Sequence, residues 1–172
     1  MKKAGMIFVV LILIFLVWLL KNTNSPEQGI SPVTGEVSND IFALEVKEPF
    51  TLEKLKSFEL PIIIDFGADW CPPCRQMKPH FKKLYETYKG KAIIKYVDVD
   101  EQPKLSSEFP GQYIPTQAFF NKDGTPYVPQ NFDKNQFDYY YDDNKNHILT
   151  MHVGGLTFEQ MEQMLKEMGI DG

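Results

Sequence analysis

Apolar residues along this chain follow strand-like runs and helical spacings in alternation. Short runs rich in Ile, Val, Phe and Met predict strands at 61–66, 92–99, 117–121 and 147–153. Helical spacing predicts helices at 51–58, 72–88 and 101–108 and a closing helix that begins with a capping box at Thr157–Gln160. Strands that alternate with helices imply an α/β fold, a mixed sheet flanked by helices on both faces.

The N-terminal part of the chain has a different character. Residues 6–20 are apolar without interruption, and the preceding residues 1–5 include Lys2 and Lys3. Such a run is typical of a signal-peptide core or of a short membrane span, and because no small-residue cleavage pattern follows it we favour an uncleaved transmembrane signal-anchor. Residues 21–40 are polar, contain Ser-Pro and Gly punctuation, and predict a flexible tether.

The basic residues before the apolar run predict the orientation of the chain. Lys2 and Lys3 favour a cytoplasmic tip at residues 1–5, which leaves the domain at 41–172 on the extracytoplasmic side of the cytoplasmic membrane as a single-pass protein. The chain has 172 residues, is 43% hydrophobic and carries a formal charge of −5. Because no basic stripe dominates, the composition argues against a nucleic-acid partner.

The two cysteines, Cys71 and Cys74, stand where the helix 72–88 is predicted to begin. A helix N-terminus presents unpaired N–H groups and partial positive charge, which stabilise a thiolate at Cys71 and make it a nucleophile. Cys74, one turn further on, can then resolve a mixed disulfide. Half of a zinc site is an alternative, but no other Cys remains, and His147 and His152 are only a loose pair. A purely structural disulfide would close a short loop and gain little chain entropy.

Five short segments together resemble the thioredoxin family. They are Asp65–Phe66, Trp70–Cys74, Pro79, Ile114–Thr116 and Val153–Leu156. The resemblance covers residues 41–172 apart from one insertion, and it implies a thioredoxin-like fold and a thiol–disulfide oxidoreductase without cofactor or metal.

The resemblance also implies roles for individual residues. Cys71 and Cys74 would be catalytic, and Asp65 would be a buried acid beneath them that exchanges a proton with the second thiol. Pro115 would be cis and lie against the cysteine pair. The substrate-binding residues would be Trp70, Ile114, Pro115 and Gly154.

Three features depart from the family pattern. Gly67 stands where a bulky residue is frequent, and Tyr96 stands near the place of a lysine that often accompanies the buried acid. Without that cation we expect Asp65 to hold its proton more tightly. The third feature is an aromatic-rich insertion at 125–147, between the last two predicted strands. It is interpreted either as an extended hairpin that packs its own rings on the domain, which we favour, or as a docking surface.

These observations predict a membrane-tethered enzyme that reduces disulfides of extracytoplasmic proteins. Its partners would be disulfide-bearing protein clients, a membrane thiol electron carrier, and the membrane itself through the N-terminal helix. An oxidase that introduces disulfides would use the same residues at a different potential. A client-binding module that uses the aromatic insertion is a third hypothesis, which the intact cysteine pair, Asp65 and Pro115 make the weakest.

Overall fold

A computed structural model describes residues 41–111 and 113–170 of the chain. Within them the strands are β1 (Ile62–Gly67), β2 (Ile93–Asp98), β3 (Thr116–Phe120), β4 (Phe137–Tyr141) and β5 (His147–Val153). The α-helices of this part are α1 (Leu52–Lys56), α2 (Pro72–Tyr88), α3 (Pro103–Ser107) and α4 (Phe158–Glu167). Each strand and helix that the sequence predicts is present, with ends shifted by a few residues at most, and the capping box of α4 is formed.

The strands make one mixed sheet in the order β2–β1–β3–β5–β4. β1 and β2 run parallel, whereas β3 is antiparallel to β1 and to β5, and β4 is antiparallel to β5. Beyond β2, the Tyr96 N–H donates to the Leu44 carbonyl and the Val46 N–H donates to the Tyr96 carbonyl, at 2.7 and 3.0 Å. This short contact covers the β2 edge. β1 itself lies inside the sheet, between β2 and β3.

Both faces of the sheet are covered, because successive side chains of a strand point to opposite faces. Ile63 of β1 packs with α2 and α4, whereas Ile62 and Ile64 pack on the other side with Leu55 of α1 and Leu105 of α3. The apolar stripe of α2 that meets the first face consists of Met77, Phe81, Leu84 and Tyr88. Asp65 shares the parity of Ile63, and it therefore faces α2 rather than solvent.

The aromatic-rich stretch 125–147 supplies a strand that the sequence analysis did not assign. β4 lies at the edge of the sheet, and its pattern of exposure is mixed because only Phe137 is fully covered. Acidic and aromatic residues therefore follow one another without the clean alternation that identifies a half-buried strand. Phe137 and Tyr127 are buried, and Phe132 and Tyr139 pack against them on the α2–α4 face. The rings thus pack on the domain, as the favoured interpretation expects.

The predicted membrane span at 6–20 and the predicted tether at 21–40 lie outside the described residues. Among the helices at 41–111 and 113–170, none is long and apolar enough to cross a membrane. The anchor therefore stays a prediction from the sequence.

Candidate active site

The cysteine pair lies at the N-terminus of α2. Cys71 is the N-cap residue, and Pro72 and Pro73 occupy the first two helical positions, for which their fixed φ is suited. Cys71 and Cys74 form a disulfide with their Cα atoms 5.3 Å apart. The Cys74 N–H points at Cys71 Sγ, with a distance of 3.3 Å from nitrogen to sulfur. Both residues are buried against Ala68, with Ile114 beside them.

Ile114 and Pro115 lie next to this pair although they are far from it in the sequence. The Ile114–Pro115 peptide bond is cis, as predicted. The Ile114 carbonyl oxygen is 3.6 Å from Cys71 Sγ. The Gly154 N–H donates to the Pro115 carbonyl at 2.9 Å, and Gly154 has a φ of +118°, which favours glycine. The structure therefore places Ile114 at the cysteines and ties Gly154 to the same loop through Pro115.

Trp70, the fourth predicted substrate-binding residue, lies on the surface beside them. Its side chain is 65% exposed, and its indole Nε1–H donates to Asp100 Oδ2 at 2.7 Å. Trp70 and Ile114 line a cavity of about 280 Å³ with Tyr113, which is 71% exposed. Large exposed apolar side chains around a reactive pair are suited to contact a protein substrate.

Asp65 is buried on the α2 face of β1, with 3% of its surface exposed. Burial disfavours the charged carboxylate and raises the pKa of Asp65 to about 7, while a hydrogen bond from Gln117 acts in the opposite direction. A Cβ built on Gly67, two residues further along β1, would lie 3.5 Å from the Cβ of Cys74. This face of β1 thus runs directly beneath the second cysteine, where a group that titrates near neutral pH can exchange protons.

Gln117 and His152, which the sequence analysis did not identify as site residues, extend this buried polar group. Gln117 Nε2 donates to Asp65 Oδ1 at 2.9 Å, and Gln117 Oε1 is 3.0 Å from His152 Nδ1. Strand register places the three side chains in one row, because Gln117 is opposite Asp65 on one side and opposite His152 on the other. The sequence feature that could have identified Gln117 is its position directly before the apolar residues 118–120 of β3.

Gly67 and Tyr96, two of the three departures from the family pattern, lie against one another. Tyr96 is opposite Asp65 in the register of β1 and β2. A Cβ on Gly67 would come within 3.0 Å of the Tyr96 ring, so a larger residue at Gly67 would displace that ring. Burial raises the pKa of Tyr96, and the nearby carboxylates of Asp98 and Asp65 add to the shift. Tyr96 therefore lies beside Asp65 as a neutral phenol rather than as a cation.

Comparison with known proteins agrees with this geometry. The thioredoxin family model matches residues 42–138, which is more than half of the chain. The chain belongs to the thioredoxin family. It is 44% identical over 71 residues to thioredoxin 1 of Chlorobaculum tepidum, a match that covers 41% of this chain and 70% of the relative. It is 38% identical over 87 residues to thioredoxin H4 of Arabidopsis thaliana, with 51% and 68% covered.

A solved structure is similar in fold. A poplar thioredoxin h superimposes with a TM-score of 0.51 at 19% identity, covering 74% of this chain and 97% of the poplar chain. The family and the cysteine pair at disulfide distance make this protein a thioredoxin-type thiol–disulfide oxidoreductase. Members of the family act on disulfide-bearing protein substrates. Among the described residues, no group of three or more His, Cys, Asp or Glu side chains could hold a metal ion.

The raised pKa of Asp65 predicts a pH-dependent stability. Between pH 4 and 7 the folded protein keeps the Asp65 proton and the unfolded chain loses it, so stability falls as pH rises through this window. In Asp65→Asn this fall should be absent. We expect the free energy of unfolding of the oxidised wild type to decline by about 4 kcal/mol more than that of the variant, measured by guanidinium unfolding.

The control removes an exposed carboxyl group instead of the buried one. Asp143 lies exposed in the turn between β4 and β5, and Asp143→Asn should follow the wild-type curve. Parallel curves for the wild type and Asp65→Asn would contradict the raised pKa of Asp65.

Proposed function

We propose that this protein is a membrane-tethered reductase of disulfides in extracytoplasmic proteins. The observation that carries the direction of the chemistry is the N-terminus of α2. Pro72 and Pro73 have no N–H group, and the Cys74 N–H is the donor that the described structure aims at Cys71 Sγ. A Cys71 thiolate with so few donors is stabilised only modestly. The reduced pair is then less favoured than one with more donors, and it gives up its electrons more readily.

The first step is attack on the client. The Cys71 thiolate attacks one sulfur of a client disulfide, a new bond forms between Cys71 and that sulfur, and the second client sulfur leaves as a thiolate that takes a proton from water. The Ile114 carbonyl lies 3.6 Å from the Cys71 sulfur, so a client strand that pairs with the Ile114 backbone would present its disulfide at Cys71. Trp70 and Tyr113 offer apolar contacts on the surface around it.

The second step releases the client. Cys74 gives its proton to the Asp65 carboxylate, and the resulting thiolate attacks Cys71 Sγ. The Cys71–Cys74 disulfide forms, and the first client sulfur leaves as a thiolate, which receives the proton that Asp65 accepted, through solvent. A carboxyl group with a pKa of about 7 exchanges that proton readily near neutral pH. The client has gained two electrons and two protons, and a dithiol carrier in the membrane returns the pair to its reduced form.

The location of the protein is supported by the sequence pattern alone. Lys2 and Lys3 precede the apolar run at 6–20, and a polar stretch at 21–40 connects that run to the domain. A tether of this kind would hold the cysteine pair close to a membrane electron carrier, which has to reduce it once per cycle.

The division of labour between the cysteines predicts which variant traps clients. Cys74→Ser leaves Cys71 able to attack but removes the resolving thiol, so mixed disulfides should accumulate and be visible on non-reducing gels. Cys71→Ser should form none and should abolish disulfide exchange. Trapping by Cys71→Ser instead of Cys74→Ser would reverse the two roles.

The predicted anchor and its orientation are tested by proteolysis of intact protoplasts. Added protease should remove the domain at 41–172 while a cytoplasmic marker protein stays intact. Protection of the domain would contradict the orientation. A mature N-terminus that begins after Leu20 would show cleavage in place of an anchor.

The midpoint potential of the Cys71/Cys74 pair distinguishes the reductase from an oxidase. We expect a value near that of thioredoxin, about −270 mV, from equilibration of the full chain with a glutathione or dithiothreitol buffer. At steady state in cells, alkylation trapping should find most of the pair as dithiol. A midpoint near about −120 mV, with the pair mostly oxidised, would make the protein an oxidase.

A further inference from the structure

A chain of side chains leads away from Asp65 along the sheet. It passes from Asp65 on β1 to Gln117 on β3 and His152 on β5, and it ends against the ring of Phe137 on β4, whose centroid is 5.4 Å from that of His152. Gln117 is fully buried and His152 is partly buried. A buried amide is costly unless its polar atoms have partners, and here both the nitrogen and the oxygen of Gln117 have one.

The contacts of Gln117 set the direction of its amide group. Its Nε2 donates to Asp65 Oδ1 at 2.9 Å and contacts Met77 Sδ at 3.4 Å. Its Oε1 is an acceptor, so the His152 nitrogen 3.0 Å away must carry the hydrogen. The reverse orientation would place the amide oxygen against Asp65 Oδ1, which is unfavourable whenever Asp65 is ionised. His152 therefore holds Gln117 in the orientation in which it donates to Asp65.

The surroundings of His152 favour its neutral form. Burial lowers the pKa of His152, and Asp138 on β4 acts against this shift. The other groups that face this chain of contacts are the Met77 and Cys74 side chains on α2 and, beyond Asp65, the phenol of Tyr96 on β2. None of these neighbours brings a cation to Asp65, so the amide of Gln117 is the donor that the described structure provides to its carboxylate.

We propose that Gln117 and His152 are positioning residues, which hold the Asp65 carboxyl group in place for proton exchange with the Cys74 thiol. The inference rests on the proposed role of Asp65 in releasing the client. A hydrogen bond to the charged form of an acid favours that form. Gln117 therefore keeps Asp65 ionised to a lower pH than burial alone would allow, and His152 keeps Gln117 turned toward it.

The second step of the cycle can be measured in isolation with Ellman's reagent, a small aromatic disulfide. The reduced full chain reacts first at Cys71, in a phase that depends on reagent concentration and releases one aromatic thiolate. Attack of Cys74 on the mixed disulfide then releases the second thiolate in a phase independent of concentration. This second phase requires the ionised Asp65 carboxylate, so its rate should rise with pH through the pKa of Asp65.

Removing the amide should move that profile to higher pH. We expect the midpoint of the second phase in Gln117→Leu to rise by about one pH unit, because a hydrogen bond to the carboxylate is lost. His152→Phe should shift it in the same direction. In His152→Asn the side-chain amide can still donate to Gln117 Oε1, so the profile should return toward that of the wild type. Should Gln117→Leu fail to fold, Gln117→Met serves in its place.

A matched control and the Asp65 variant separate the possible failures. His147 lies at the other end of β5, where its ring contacts Thr150, and His147→Phe should leave the profile unchanged. If Asp65→Asn slows the second phase but Gln117→Leu and His152→Phe keep the wild-type midpoint, the positioning role is wrong and the proposed role of Asp65 stands. If Asp65→Asn leaves the second phase as in the wild type, the role of Asp65 is itself wrong, and the positioning role with it.

Discussion

The burial of one carboxyl group beneath the active-site helix is the constraint on which the site depends. Asp65 is almost fully enclosed, and a charge there is costly unless it is hydrogen-bonded. The register of β1, β3 and β5 supplies a hydrogen-bond partner, because it places Gln117 and His152 in the same cross-strand row as Asp65. A shift of one residue in any of these strands would turn its member of the row to the opposite face. Strand pairing therefore decides which polar groups the buried carboxyl group of Asp65 meets.

The reactive pair lies where three separate segments meet. The helix start brings Cys71 and Cys74 within one turn, and the Ile114 carbonyl lies 3.6 Å from Cys71 Sγ. The Gly154 N–H donates to the carbonyl of the next residue, Pro115. Two prolines remove N–H donors at the point where a helix usually offers several. The same N-terminus that offers partial positive charge to the Cys71 sulfur thus also offers it few N–H donors.

The aromatic stretch at 125–147 contributes to the domain as structure and bears indirectly on the site. Its buried rings, Tyr127 and Phe137, extend the core between α2 and α4. β4 brings Phe137 against the His152 ring, so the edge strand packs directly on the last member of the polar row. Tyr141 stays 59% exposed at the far end of β4. One end of β4 is therefore buried in the core, and the other end is exposed to solvent.

Local patterns in the sequence were sufficient for the helices, four of the five strands, the cysteine pair and the burial of Asp65, because periodicity, proline position and flanking apolar residues act over a few residues. β4 was not predicted, since an edge strand that is only half covered has no regular alternation of apolar and polar residues. The Asp65–Gln117–His152 row could not be read from the sequence either. Its members are distant along the chain, and only the pairing of β1, β3 and β5 decides that they meet, because hydrogen bonds between side chains depend on register and not on sequence separation.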